Sequence, residues 1–259
     1  AGKLIQGKPG MIPEDEAGKG EKRELLPPSV SLDLAREIVK KVREAKRPVI
    51  NAGNGIRIGK AFDVFQRVVE MLGIPVVTGW NSLDCMYDSH PLYVGRAGHM
   101  GDRPGNFAVQ NCDLLLSLGS RLSIRQVGYN YPTWAREAYV IYNDIDAEEL
   151  KKPTVHVDMP VHADVKDLLE KMEMVLEVEA VSADGGPKDK EAVDWWISRC
   201  QQWKEKYPVV LPKHYEAGED QPANIYGRKR FPLRGGRSCL RDEEGAAVHQ
   251  QLCHRFHGL

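Results

Sequence analysis

The sequence predicts an α/β fold, a doubly wound parallel sheet with helices on both faces. Three observations predict it. Short, nearly continuous apolar runs alternate with stretches of helical period, the pattern of strands buried on both faces and joined by crossover helices. The first run, Pro48-Val49-Ile50-Asn51-Ala52, feeds directly into a glycine turn, Gly53-Asn54-Gly55-Ile56-Arg57-Ile58-Gly59, and then into a helix pattern. Small, polar or charged residues recur just after the apolar runs, where the ligand crevice of such a sheet lies.

In chain order, residues 1–30 are rich in Gly, Pro, Glu and Lys and read as a linker crossing a surface. Ser31 caps a helix whose Leu34, Ile38, Val39 and Val42 recur at helical spacing, and Arg47-Pro48 stops it. Strands are expected at Val49–Ala52, Ile74–Val77, Leu114–Leu118, Tyr139–Tyr142 and Val155–Val157. Helices are expected at Lys60–Leu72, Gly105–Asn111, Ala147–Leu150 and Val165–Leu176, the last capped by Asp164. Past Glu177 the sheet pattern stops. A helix over Glu191–Tyr207 then carries Val193, Trp196, Ile197, Cys200 and Trp203 on one face, and the proline-bracketed Pro208–Pro212 extends from it. The organisation expected is a linker (1–30), the sheet domain (31–180), a linker, helix and arm towards another domain (181–226), and an aperiodic tail (227–259) that reads as out of frame or misassembled.

Composition narrows the function classes. A chain of 259 residues, 42% of them hydrophobic, can bury one substantial core plus extensions, or two small cores. A net charge of −1 gives no reason to expect nucleic acid or an acidic membrane as partner. No apolar run approaches the roughly 20 residues needed to cross a bilayer. The five cysteines lack any C-x-x-C pair, which fits a reduced, cytoplasmic compartment, with Cys85 and Cys112 read as core. The chain opens without Met and reads as the middle of a longer one. A zinc site at Cys239, His249, Cys253, His254 and His257 is discounted, because the spacing matches no standard finger. Trp80, Trp195, Trp196 and Trp203 read as packing residues.

The candidate site residues follow the strands: Gly53, Asn54 and Gly55 after the first, Thr78 at the end of the second, Gly119 and Arg121 after the third, and Asn143, Asp144 and Asp146 after the fourth. Glycines let the chain turn sharply and let a phosphate approach backbone N–H groups. Arginine offers a planar fork of donors to phosphate, and carboxylates accept from ribose hydroxyls. The first expectation is therefore a nucleotide-cofactor domain. The spacing G-x-G-x-x-x-G departs from the dinucleotide fingerprint, so a bare strand-to-helix turn explains it equally well. His99, set between Gly98 and Gly101, is a candidate for stacking on a cofactor, with loop hydrogen bonding as the alternative.

Residues 47–177 as a unit resemble the central domain of thiamine-diphosphate-dependent enzymes of the acetolactate synthase type. The resemblance rests on ordered motifs: Arg47-Pro48-Val49 with the glycine turn, Leu72-Gly73-Ile74-Pro75-Val76, Gly95-Arg96-Ala97-Gly98-His99-Met100-Gly101, Asn111-Cys112-Asp113-Leu114-Leu115-Leu116, Gly119-Ser120-Arg121 and Asp144-Ile145-Asp146. It implies a Rossmann-like sheet lying between two thiamine-binding domains, holding FAD in some members and ADP or nothing in others. It also implies thiamine diphosphate and Mg²⁺ in a full-length parent that acts on pyruvate or another 2-oxo acid and assembles as a dimer or tetramer of identical chains. Carried over by position, Gly53-Asn54-Gly55 would meet the cofactor's phosphate and ribose, and Gly98, His99 and Met100 would line the same crevice. Arg121 and Arg125 would match the family's paired arginines, Asp144 and Asp146 would approach the adenosine end, and Asp164 with Val165 would lie beside the adenine. Asn54 stands where FAD-binding members have a glycine, Ser123-Ile124 where they have aspartates, and Ala163 where glycine is common. FAD, ADP and an empty crevice thus stay open. The family's catalytic glutamate and its G-D-G…N segment for Mg²⁺ are not recognisable, so no catalytic or metal residue is assigned and the chain alone is not expected to catalyse the reaction. Two rivals remain. One is a ligand-free structural or oligomerisation domain. The other is a stand-alone FAD- or NAD-binding protein of sirtuin-like type, against which the missing C-x-x-C pair counts.

Overall fold

A computed structural model describes residues 27–180, 186–209 and 211. The expectations for the rest of the first linker, for most of the arm and for the tail with its zinc reading lie outside these residues. Six strands form one parallel sheet: β1 (Pro48–Ala52), β2 (Val76–Thr78), β3 (Tyr93–Arg96), β4 (Leu114–Leu118), β5 (Tyr139–Asp144) and β6 (Met159–His162). Their order is β3-β2-β1-β4-β5-β6. The winding reverses between β1 and β4, so this is a doubly wound α/β sheet whose switch point falls between those two strands.

Among the described residues the α-helices are α1 (Leu32–Glu44), α2 (Gly55–Ile58), α3 (Phe62–Leu72), α4 (Arg103–Asn111), α5 (Ile124–Val127), α6 (Val165–Ala180) and α7 (Lys190–Lys206). α1 begins where Ser31 Oγ accepts from Leu34 N at 3.1 Å, and it buries Ala35, Ile38, Val39 and Val42. Packing of this stripe, rather than intrinsic propensity, holds the helix, since a buried Ile or Val contributes roughly 1.5–3 kcal/mol. Asp113 fixes the entry to β1 by accepting from Lys46 N at 3.0 Å and Arg47 N at 2.8 Å. Asp102 starts α4 by accepting from Gly105 N at 2.9 Å. Asp164 starts α6 through Lys166 N at 2.7 Å, as the sequence indicates.

Helices α1, α3 and α6 cover one face of the sheet over Ile50, Leu116 and Ile141, and α4 and α7 cover the other over Val49, Leu115 and Val140. α7 docks closely. Trp196 is buried and its Nε1 donates to Pro48 O at 3.1 Å, Cys200 is buried beneath it, and Lys204 Nζ donates to Tyr93 O at 3.0 Å. The helix that follows the 181–190 linker is therefore part of the sheet's second layer. Trp195, expected to pack, points outward instead and is exposed.

Three sequence expectations are corrected. The strand expected at Val155–Val157 is a bend and loop, and the ladder runs four residues later, with Ile141 opposite Met159 and Asp144 opposite His162. Asp158 sets that register, because its amide donates to Val140 O at 3.0 Å and its carboxylate accepts from Val140 N at 2.7 Å. β6 is an edge strand, which is why it tolerates Pro160. The helix expected at Ala147–Leu150 is a turn followed by one 3₁₀ turn, Glu149–Lys151. β3 was not expected at all.

Candidate functional site

The loops after β1, β4 and β5 converge on one cavity of about 870 Å³ at the carboxyl edge of the sheet. Two of them touch. Gly53 N donates to Leu118 O and Gly55 N to Gly119 O, both at 2.8 Å. A Cβ at Gly53 would stand 2.5 Å from Gly119 C and Ser120 Cα, and one at Gly55 would stand 2.7 Å from Gly119 Cα. Glycine is required here so that two backbones can meet across the switch point. The amides of Gly53 and Gly55 are thereby already engaged, so the turn's glycines serve loop packing first.

Beneath the loops lies a buried polar network. Asn51 and Ser117 are register partners on β1 and β4, and Asn51 Nδ2 donates to Ser117 Oγ at 3.0 Å. Gln126, on α5, donates from Nε2 to Asn51 Oδ1 at 3.0 Å and lines the cavity. Every member has a partner, the condition under which buried polar groups fix one arrangement rather than weaken the core. Gln126 was not a sequence candidate. The signal that could have found it is a polar residue in each of two otherwise apolar neighbouring strands, since buried polar atoms require partners.

The cavity wall carries charges of both signs, with Arg121 and Arg125 contributed by the chain after β4. Arg121 is paired with Glu149 (Nε to Oε1 2.9 Å), a contact that also raises its pKa, and Glu149 is paired in turn with Lys152. Burial pushes the Glu149 carboxyl up, but its hydrogen bonds from Arg121 and Lys152 outweigh that and hold it below its ordinary value. Arg125 has no ion-pair partner among the described residues. Asn143, Asp144, Asp146 and Asp164 also line it, and the charges of Asp144 and Asp146 reach Arg121. Asp144 Oδ1 accepts from Asp146 N at 3.0 Å and its Oδ2 from Tyr142 O–H at 3.3 Å. Burial and the neighbouring Asp144 push the Tyr142 hydroxyl pKa upward, so it stays a donor. Asn143 is fully buried, and its Oδ1 has no hydrogen-bond partner among the described residues. Trp80, read from sequence as packing, is 41% exposed and lines the cavity, as does the exposed Ile58.

The candidates Gly53, Asn54, Gly55, Gly119, Arg121, Arg125, Asn143, Asp144, Asp146, Asp164 and Val165 all line this cavity. Thr78, Gly98, His99 and Met100 are not on its wall. Thr78 is fully buried with its hydroxyl 3.0 Å from Tyr93 OH. His99 holds the Arg125 carbonyl, its amide donating at 3.0 Å and its Nδ1 lying 3.3 Å away. Gly98 is tied to Asn106, whose Oδ1 accepts from Gly98 N at 2.9 Å. Met100 is exposed. The 98–100 loop therefore packs behind α5 and steadies Arg125 from outside the cavity. Loop hydrogen bonding, rather than stacking, accounts for His99.

The family described as "Thiamine pyrophosphate enzyme, central domain" matches residues 35–172. A probable acetolactate synthase large subunit from Methanococcus aeolicus is 33% identical over 176 residues, covering 68% of this chain and 29% of the relative. An acetolactate synthase from Mycobacterium avium is 36% identical over 161 residues, covering 62% of this chain and 25% of the relative. The acetolactate synthase large subunit of Lactococcus lactis subsp. lactis is 30% identical over 236 residues, covering 85% of this chain and 39% of the relative. The chain thus spans between a quarter and two fifths of the length of these relatives.

Proposed function

This chain belongs to the thiamine pyrophosphate enzyme central-domain family, and from that premise we propose that it is the middle domain of an acetolactate-synthase-like enzyme acting on pyruvate or another 2-oxo acid, with an adenine nucleotide, ADP or FAD, in its cavity. The observation that supports the nucleotide reading is the convergence of arginine and carboxylate side chains on one cavity. Arg125, without an ion-pair partner among the described residues, suits an anionic phosphate, and the carboxylates of Asp144 and Asp146 suit the hydroxyls and amines of a nucleoside. The arrangement supports binding and scaffolding.

Thiamine diphosphate supplies a carbanion that makes or breaks a carbon–carbon bond next to a carbonyl. The residues of this chain do not fit it: the sequence has no G-D-G segment, and among the described residues no group of three or more His, Cys, Asp or Glu could hold a metal ion. In the proposed parent the thiamine cofactor and Mg²⁺ are held by other domains, with identical chains assembling into a dimer or tetramer. Among the described residues no helix is long and apolar enough to cross a membrane.

Titration calorimetry with ADP and with FAD, the latter followed also by flavin fluorescence, tests the nucleotide reading. A saturable one-to-one isotherm for either is expected, and Arg125→Ala should weaken it about tenfold, as loss of one charge-assisted hydrogen bond does. No heat and no fluorescence change with either ligand would favour a ligand-free structural domain.

A further inference from the structure

We propose that Glu149 is a positioning residue for anion binding in this cavity, and that with Lys152 it holds Arg121 in the one setting from which the guanidinium meets a phosphate. The inference rests on the nucleotide reading of the cavity and adds to it two residues that are not on the cavity wall.

Arg121 lies in a short stretch of left-handed backbone. Gly119 at φ +58° and Leu122 at φ +43° stand on either side of it. Such backbone is costly for a residue with a Cβ, and Leu122 is a buried leucine, so its surroundings must impose that shape. Three contacts do. Gly55 N donates to Gly119 O at 2.8 Å, Leu122 packs in the apolar cluster that contains Val49, Leu115 and Trp196, and Lys152 Nζ donates to Arg121 O at 2.6 Å.

The same lysine closes a ring. Lys152 is paired with Glu149, and Glu149 Oε1 accepts from Arg121 Nε at 2.9 Å and from its Nη2. Arg121 is thus gripped at its carbonyl and at its guanidinium, both from the 3₁₀ turn Glu149–Lys151 and the residue that ends it. Both bonds to Glu149 use one edge of the guanidinium, so Nη1 carries no hydrogen bond among the described residues. The Arg121 side chain is 75% exposed, whereas Glu149 is buried and is held ionised by its two cations. A long exposed side chain otherwise samples many rotamers, and a fork already fixed has less freedom to lose when it binds. The charges of Asp144 and Asp146, both on the cavity wall, reach the guanidinium, which sets the held head group at the cavity rim. A carboxylate beside an anion site opposes the anion by its charge. Glu149 is accounted for there by what it does to Arg121.

The test is calorimetry with ADP on the full chain, run as a double-mutant cycle between Glu149→Leu and Arg121→Ala. Leucine removes the acceptor and the charge at similar size. On charge alone, removing a carboxylate from an anion site tightens binding. Positioning predicts the opposite sign, an ADP dissociation constant raised about tenfold as Arg121 regains its rotamers. In the Arg121→Ala background the same substitution should weaken ADP no further, because the group it places is gone. Should Glu149→Leu fail to fold, Glu149→Gln takes its place; its hydrogen bonds lose their charge, so ADP should weaken about threefold, again with no further loss beside Arg121→Ala. ADP bound as tightly by the Glu149 variant as by the wild-type protein, or more tightly, would overturn the proposal while leaving the nucleotide reading intact. A loss of equal size with and without the Arg121 guanidinium would do the same. If ADP does not bind the wild-type protein, the nucleotide reading fails, and this proposal with it.

Discussion

Replacing Gly53 with alanine puts a methyl group where two backbones already meet. The added carbon would stand 2.5 Å from Gly119 C and Ser120 Cα, against roughly 3.5–4.0 Å for carbons in ordinary contact. The loops after β1 and β4 must therefore part by about 1 Å, which takes the 2.8 Å bonds Gly53 N to Leu118 O and Gly55 N to Gly119 O out of hydrogen-bonding range. Losing two net bonds, about 0.5–1.5 kcal/mol each, together with overpacking strain of about 1–3 kcal/mol, gives a destabilisation of about 2–6 kcal/mol. Thermal melting should fall by at least about 4 °C, at roughly 2–4 °C per kcal/mol for a domain of this size. Gly73→Ala is the matched control. Gly73 ends α3 at φ +62° with nothing within 4 Å of a would-be Cβ, so its cost is the backbone penalty of about 1–2 kcal/mol alone. Urea unfolding of both variants reads the comparison. If Gly53→Ala costs no more than Gly73→Ala, the two loops are not in the contact on which the cavity depends.

Two further outcomes follow from buried charge and buried sulfur. Burial raises the Asp167 carboxyl, but hydrogen bonds from the Lys171 ammonium, Val30 N and the Ser29 hydroxyl lower it more, so its folded pKa lies below its ordinary 3.8. A carboxylate depressed by folding lends stability that is complete above its unfolded pKa and is lost as pH falls through the folded one. Asp167→Asn should therefore lower the urea midpoint at neutral pH and flatten the loss of stability below about pH 4; an acid limb as steep as that of the wild-type protein would contradict the assignment. Burial pushes the thiols of Cys85 and Cys200 up to about 12 and that of Cys112 higher still. Peptide-mapped alkylation of the native protein should leave all three unmodified until urea unfolds it, because the thiolate is the reactive form; rapid labelling of Cys112 in the native state would show that α7 does not cover it.

Much of this architecture is legible in the residues because β1 and β4 are apolar runs, each interrupted by a single polar residue, bounded by Pro48, Gly53 and Gly119, and because α3 and α6 bury regular stripes. Where legibility stopped, the cause was local. β3 is four residues of an edge strand, Tyr-Val-Gly-Arg, in which only the first three are buried, too short a run to stand out. Val155 and Val157 look more strand-like than Met159-Pro160-Val161-His162, yet Asp158 sets the ladder and the edge position excuses the proline. At the site, the strand-end glycines and aspartates announced themselves through turn chemistry. Gln126 did not, because its role arises from Asn51 and Ser117, which are 75 and 9 residues away along the chain and meet it only through strand pairing. The 98–100 loop carries the right residue types for a crevice but passes behind α5, a relation that no spacing encodes.

The proposed function seats one nucleotide in the cavity that Arg125, Asp144 and Asp146 line. A crystal structure grown with ADP tests it most directly. The diphosphate is expected beside Arg125, between the loops bearing Gly53 and Gly119, with the nucleoside near Asp144. Nucleotide density elsewhere on the molecule, or a diphosphate lying against the carboxylates of Asp144 and Asp146, would contradict it.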